Sequence, residues 1–120
     1  MGIRILNTSK EFTEIEQYLM TKSPAIVSMK DVEDGTSITV DGVLNFEDEK
    51  DNGEVVDIMS IITPDSKVYS CQSKTFKRSL NDIANIMHGK SFPIKKISGK
   101  TKAGRDYIDC ILDTDALKAM

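Results

Sequence analysis

The stretch 36–72, TSITVDGVLNFEDEKDNGEVVDIMSIITPDSKVYSCQ, decides the fold of this chain. Its polar and apolar side chains alternate at first, until Gly42 interrupts the pattern as a bulge or a sharp bend in a strand would. A polar loop ending at Gly53 and a turn at Pro64-Asp65-Ser66 divide the remainder. The stretch therefore predicts three successive strands, over residues 36–46, 54–63 and 67–72.

A helix is predicted after the third strand. Ser73 or Thr75 can cap it, it runs to about His88, and Gly89 is a favourable residue just past its end. Its apolar side chains recur at helical spacing on one face. They are Phe76, Leu80, Ile83, Ala84 and Met87. Two more strands, about 92–98 and 105–113, complete the pattern and are joined by the basic loop 99–104.

This element order is that of an OB-fold, a five-stranded Greek-key barrel with a helix between strands 3 and 4. The predicted fold class is therefore mainly β with α. An extra N-terminal helix is predicted from about Ser9 to Thr21, with Thr8 and Glu11 as a capping box. Its apolar face is predicted to contain Phe12, Ile15, Tyr18 and Leu19. The predicted organisation is an N-terminal helical extension, 1–24, followed by an OB-fold domain, 25–120.

Charge is distributed unequally along the 120 residues, whose formal net charge is −3. Residues 1–60 carry 5 basic and 13 acidic side chains, whereas residues 61–120 carry 11 basic and 6 acidic ones. Residues 67–105 contain ten Lys or Arg and a single acid, Asp82. Such an asymmetry between halves indicates a polyanionic partner, although a solvated charged face gives similar counts.

The sequence offers no arrangement of residues that is typical of an enzyme. His88 is the sole histidine, and neither Cys71 nor Cys110 belongs to a CxxC pair, so we expect reduced thiols and no metal. No glycine-rich phosphate loop is present. No apolar run is long enough to span a membrane, and we expect a cytoplasmic protein. We predict no catalytic activity and no cofactor.

Binding of single-stranded nucleic acid requires cations along the backbone path and aromatic rings on which bases stack. The predicted phosphate contacts are Lys67, Lys74, Lys95, Lys96, Lys100, Lys102 and Arg105. The candidate stacking rings are Phe46, Tyr69 and Tyr107. In a barrel strand each ring is also compatible with core or edge packing, and this alternative applies most strongly to Phe46.

Residues 34–112 resemble the small single-stranded DNA-binding proteins of podophages that replicate by protein priming. The matching motifs, in chain order, are Asp34-Gly35-Thr36, Phe46, the polar loop with Gly53, Val56 to Ile62, the turn at Asp65, Val68-Tyr69-Ser70, Ser73-Lys74-Thr75 and the loop 99–104. The resemblance implies an OB-folded, non-enzymatic protein that coats displaced strands during replication. It also implies stacking roles for Phe46 and Tyr69, and a replicative DNA polymerase as a second partner in the host cell cytoplasm.

Two other functions are compatible with the same residues. The acidic N-terminal half could make the chain a protein-interaction module, either an adaptor or an inhibitor. The basic and aromatic face could instead bind single-stranded RNA, because stacking and backbone contacts serve both nucleic acids.

Overall fold

The described residues fold into two β-sheets and three α-helices. The computed structural model describes residues 2–119. The strands are β1 (Gly2–Thr8), β2 (Val27–Ser28), β3 (Ser37–Val40), β4 (Gly42–Glu49), β5 (Val55–Ile62), β6 (Val68–Cys71), β7 (Phe92–Lys100) and β8 (Asp106–Leu112). The helices are α1 (Glu14–Thr21), α2 (Lys74–Met87) and α3 (Thr114–Lys118), with a 3-10 turn at Met29–Asp31. None of these helices is long and apolar enough to cross a membrane.

One bent segment contributes to both sheets. β3 pairs with β7, while β4, beginning two residues after β3 ends, pairs with β5. At the bend, a Cβ atom on Gly42 would lie 2.6 Å from the ring of Phe12, so the close approach of that ring requires a glycine. The predicted interruption at Gly42 is therefore confirmed.

The two sheets do not close into a barrel within the described residues. The first sheet has the order β1-β4-β5-β6-β2 and the second has the order β3-β7-β8. β6 is paired with β5 on one side and with the parallel strand β2 on the other, so it has no free edge for β8. The predicted mainly-β fold with helices is confirmed, but no closed barrel is formed within the described residues, because residues 27–28 occupy the edge of β6 that pairing with β8 would need.

Helix α2 fills the space between the sheets. Its predicted apolar stripe packs as expected, with Phe76 and Leu80 fully buried and Ile83, Ala84 and Met87 packed against the same core. Ser73 is the N-cap, and its hydroxyl accepts a hydrogen bond from the backbone N–H of Phe76 at 3.3 Å. The predicted cap and the predicted end near His88 are confirmed, since His88 is the C-cap.

The N-terminal region differs from the prediction. Residues 2–8 form β1, which pairs with β4. The backbone N–H of Ser9 still donates to the carbonyl of Val43 on β4, and so no helix begins at Ser9. α1 starts only at Glu14, and its capping box is formed by Thr13 and Glu16 rather than by Thr8 and Glu11. On this shorter helix Met20 is fully buried, whereas Ile15 and Tyr18, predicted on the apolar face, are exposed.

A second cluster of apolar side chains lies under α1 on the first sheet. Its buried members are Met20, Leu44, Phe46, Ile62 and Val68. The hydroxyl of Ser60 on β5 donates a hydrogen bond to the carbonyl of Met20, which fastens the end of α1 to the sheet. Residues 2–24 therefore contribute a strand to the first sheet and a helix to the apolar cluster on that sheet.

Candidate nucleic-acid interface

An open groove of about 900 Å³ lies between β6 and the hairpin formed by β7 and β8. It lies where the two sheets separate, because β6 and β8 are not paired with each other. The side chains that line it are mostly polar, with serines from both sheets. The lining residues used below are Ser28, Lys30, Ser70, Ser73, Lys96, Ser98, Gly99, Lys100, Asp106, Tyr107 and Ile108.

The base of the groove is fixed by the start of helix α2. Besides capping the helix, the hydroxyl of Ser73 lies 3.3 Å from the carbonyl oxygen of Ile108 on β8 and donates to it. One side chain thus ties the end of the β6 region, the helix and β8 together. The width of the groove at this end follows from that tie.

One side of the groove is formed by residues 27–34, which we call the bridging segment. It starts in the first sheet, where Val27 and Ser28 pair with Tyr69 and Ser70 of β6. It ends against the second sheet, where the backbone N–H of Gly35 donates to the carbonyl of Lys96 at 2.7 Å. The bridging segment therefore spans the gap that pairing of β6 with β8 would otherwise close.

Lys96 holds the bridging segment in place and is not a free phosphate contact. Its ammonium donates to the carbonyl oxygens of Lys30, at 3.3 Å, and of Val32, and lies 3.7 Å from the carboxylate of Asp34. The side chain is only 4% exposed. Lys96 also lines the groove, but its charge is already used by these buried carbonyls, so the structure does not favour the predicted contact of Lys96 with DNA.

Exposed cations surround the open side of the groove. Lys30 and Lys100 line it, and the ammonium of Lys100 is 3.3 Å from the carboxylate of Asp106 in a solvent-exposed pair. Lys102 and Arg105 follow in the β7–β8 loop, where both are exposed. Because surface pairs of this kind contribute little, the Lys100 charge remains available to a phosphate.

The three candidate rings lie in three different environments. Tyr107 is 37% exposed and lines the groove. Tyr69 is half-buried against the core and lines a separate cavity of about 300 Å³, together with Lys67. Phe46 is 2% exposed in the cluster under α1, so in this structure its ring is not accessible to a stacking base. The reason is that β1 and α1 cover the part of the sheet that was predicted to meet solvent.

The remaining predicted cations lie away from the groove lining. Lys95 precedes the buried Lys96 and is half-buried near the C-terminal end of β8. A hydrogen bond from Ser37, with a smaller effect of the Lys95 charge, holds the pKa of Asp113 below its usual value. Lys74 is exposed at the first residue of α2. Of the predicted residues, the structure thus brings together Lys96, Lys100 and Tyr107 along the groove, with Lys102 and Arg105 on the adjoining loop.

Comparison with known protein families shows to which family this chain belongs. The model of the phage single-stranded DNA-binding proteins of the Phi29 type matches residues 6–113, nearly the whole chain. The chain belongs to this family. No curated protein and no solved structure gave a significant match. This match confirms the resemblance to phage single-stranded DNA-binding proteins that the sequence indicated. The protein binds single-stranded DNA in phage replication.

The phage single-stranded DNA-binding protein family is a non-catalytic, DNA-binding family. Within residues 2–119, no group of three or more His, Cys, Asp or Glu side chains is placed to hold a metal ion. The family assignment favours single-stranded DNA over the adaptor and RNA-binding alternatives that the sequence left open.

Lys30 is a groove residue of this phage single-stranded DNA-binding protein that sequence reasoning missed. It lies in the bridging segment, outside the basic stretch 67–105 on which the prediction was based. The parallel pairing of β2 with β6 joins residues about 40 positions apart in the chain, and it is this pairing that brings Lys30 to the groove. A basic residue that follows a short apolar run, here Ala25 to Met29, was the available signal.

Both thiols of the phage single-stranded DNA-binding protein are buried and free, and we expect them to be unreactive in the folded state. Burial raises the pKa of Cys71, and burial together with nearby Asp109 and Cys71 raises the pKa of Cys110 to about 12. Since the thiolate is the nucleophile, iodoacetamide at pH 8 should label neither cysteine in native protein but both in urea. Mass spectrometry measures this, and labelling at equal rates in both states would contradict it.

Proposed function

We propose that the chain is an OB-fold protein that coats displaced single-stranded DNA by holding it in the groove between β6 and the β7–β8 hairpin, without regard to sequence. The observation that carries this proposal is the exposed ring of Tyr107 in the groove beside the exposed cations of Lys30 and Lys100. Rings and cations in one open groove are the two components that sequence-tolerant binding of single strands uses.

The OB-fold part of the proposal is supported by the order of the central elements. A bent strand, two further strands, a helix and a final hairpin follow one another, as β3–β4, β5, β6, α2, β7 and β8. OB-folds are partly open barrels, which is compatible with two sheets joined through the bent strand. In OB-folds, nucleic acid binds over the second and third strands between flanking loops, and β6 with the β7–β8 loop corresponds to that region.

In the proposed mechanism, phosphates are contacted by Lys30, Lys100, Lys102 and Arg105 while a base stacks on Tyr107. The groove serines can donate or accept hydrogen bonds with any base or sugar, so they do not impose a sequence. Tyr69, on β6, and Lys67, which immediately precedes β6, line the neighbouring cavity and form a second pair for stacking and phosphate contact. The remaining predicted cations, Lys74 and Lys95, would act through the general positive field.

The proposal includes where the protein acts and a second partner. We propose that the protein acts in the host cell cytoplasm, where a phage genome would be replicated. A replicative DNA polymerase produces the displaced strand, so we propose it as a partner that encounters the coated DNA.

The function is tested by fluorescence anisotropy of a labelled 30-mer, single-stranded or double-stranded, at several salt concentrations. We expect binding to the single strand alone, with affinity falling as salt rises because each neutralised phosphate releases counterions. On single strands each contact contributes about 0.7 to the logarithmic salt slope, so the triple variant K100Q/K102Q/R105Q should lower the slope by about 2.

A matched triple variant controls for the change in net charge. Lys22, Lys90 and Lys118 are exposed and lie outside the groove lining, so K22Q/K90Q/K118Q removes the same charge elsewhere. This variant should keep most of the salt slope. Equal slopes for the two triple variants would show that the β7–β8 loop is not the phosphate-binding region, and absence of binding to single strands at low salt would overturn the proposed function.

A further inference from the structure

Gly99 and Tyr107 face each other directly across the β7–β8 ladder. A Cβ atom on residue 99 would lie 2.7 Å from the hydroxyl oxygen of Tyr107, 2.9 Å from Cζ and 3.1 Å from Cε1. The first two separations are shorter than real Cβ contacts allow. The distal half of the Tyr107 ring therefore occupies the space that a side chain on residue 99 would need.

The backbone gives no separate reason for a glycine at this position. Gly99 lies in strand β7, and its φ is outside the left-handed region, unlike that of Gly104 in the following loop, at +83°. A glycine inside a strand weakens it unless something approaches closely, and an aromatic ring across the ladder is one such case. The contact with the ring is thus the physical reason for the absence of a side chain.

The pairs on both sides of Gly99 and Tyr107 in the ladder also contribute residues to the groove. Both Gly99 and Tyr107 line the groove, and the next pair of the ladder is Lys100 with Asp106. On the other side, Ser98 faces Ile108 and also lines the groove. In the part of the chain that the structure describes, no hydrogen bond restrains the Tyr107 hydroxyl, so the ring is positioned by packing.

We propose that Gly99 is a positioning residue that seats the ring of Tyr107 as the base-stacking platform of the groove. The inference rests on the proposed function and adds the reason why this ring is ready to bind. A ring that is already fixed on the strand loses little conformational freedom when a base stacks on it, whereas a mobile side chain would lose more. A methyl group at residue 99 would displace the ring of Tyr107 from its position over this residue, while the charges of the protein stay unchanged.

A double-mutant cycle tests the coupling of the two residues, with Gly99→Ala, Tyr107→Ala and both changes measured by anisotropy at one salt concentration. Tyr107→Ala should weaken binding to the single-stranded 30-mer about 5- to 150-fold, the range measured for loss of one stacking ring. Gly99→Ala should cause a loss of similar size. In the Tyr107→Ala background, the same Gly99→Ala change should alter affinity less than about twofold, because no ring remains to be displaced.

A second measurement, made without DNA, reports whether the ring of Tyr107 lies over Gly99. An aromatic ring over Gly99 shifts the α-proton resonances of that glycine upfield, so the proton NMR shift should be present in the parent and in Tyr107→Phe. It should be absent in Tyr107→Ala. Thermal unfolding of each variant shows that the affinities are compared between folded proteins.

The outcomes distinguish failure of the proposed stacking platform from failure of the proposed function. Equal losses from Gly99→Ala in both backgrounds would overturn the positioning role, as would normal α-proton shifts of Gly99 in the parent. If the parent binds single strands and Tyr107→Ala binds them equally well, the platform is wrong while the proposed function stands. If the parent binds no single-stranded DNA, the proposed function fails and the platform fails with it.

Discussion

Replacing Phe46 with alanine is expected to lower the free energy of unfolding by about 3–5 kcal/mol, the usual cost of removing a buried phenyl ring. Phe46 is 2% exposed and packs with Met20, Leu44 and Ile62. On β4 it lies opposite Ile58 of β5 and Ile5 of β1, so three strands and α1 surround it. The ring cannot leave this cluster without opening a cavity.

The expected result distinguishes a core ring from a stacking ring. Urea unfolding followed by circular dichroism gives the loss of stability, and anisotropy gives the affinity for a single-stranded 30-mer. Phe46→Ala is expected to remove a large part of the free energy of unfolding, which is about 5–15 kcal/mol for a typical domain. Phe46→Leu therefore serves as a milder variant that also removes the ring. Affinity of the folded Phe46→Leu protein should equal that of the parent. A weaker affinity with unchanged stability would return Phe46 to the list of stacking rings.

The second large effect is expected from Lys96→Met, which should lower the free energy of unfolding by about 2–3 kcal/mol, since hydrogen bonds to charged groups contribute about 1.5–3 kcal/mol. Methionine retains most of the aliphatic stem but provides no donor for the carbonyls of Lys30 and Val32. Those carbonyls face a buried position, where an unsatisfied acceptor is costly.

The adjacent residue provides the matched control. Lys95 is half-buried, where Lys96 is buried, and Lys95→Met should change stability by less than about 1 kcal/mol. Both variants remove one positive charge from the same strand, so a difference between them reports the buried contacts. A Lys96→Met protein as stable as the parent would show that apolar packing can replace these hydrogen bonds, as happens at some buried ion pairs.

Local sequence patterns predicted the centre of this fold well and its edges poorly. The stripe from Phe76 to Met87 fixed α2 because helical spacing is a property of the helix itself. The strands β4 to β8 were placed to within a few residues by their turns and loops. In contrast, Gly2–Thr8 has no clear alternation and becomes a strand through its pairing with β4, some 40 residues away. A local sequence pattern cannot show that these residues will pair with β4.

The site was predicted in part for the same reason. The sequence shows a basic hairpin with one outward-facing ring. This pattern was sufficient to predict the groove and loop residues Lys100, Lys102, Arg105 and Tyr107. Whether a lysine is exposed depends on what covers it, and Lys96 is covered by the bridging segment from more than 60 residues earlier. The groove position of Lys30 and the burial of Phe46 were missed for a similar reason. They depend on non-local contacts, with β2 and β6 in one case and β1 and α1 in the other.

The separation of β6 from β8 has a consequence for how a DNA strand can enter and leave. A closed tunnel would have to be threaded from a free end, but the groove described here is an open trough. A strand could be laid into it sideways at any internal position, even when both of its ends are tied into duplex. It could also be lifted out by the same route, so an advancing enzyme would need only to peel molecules from the strand one by one.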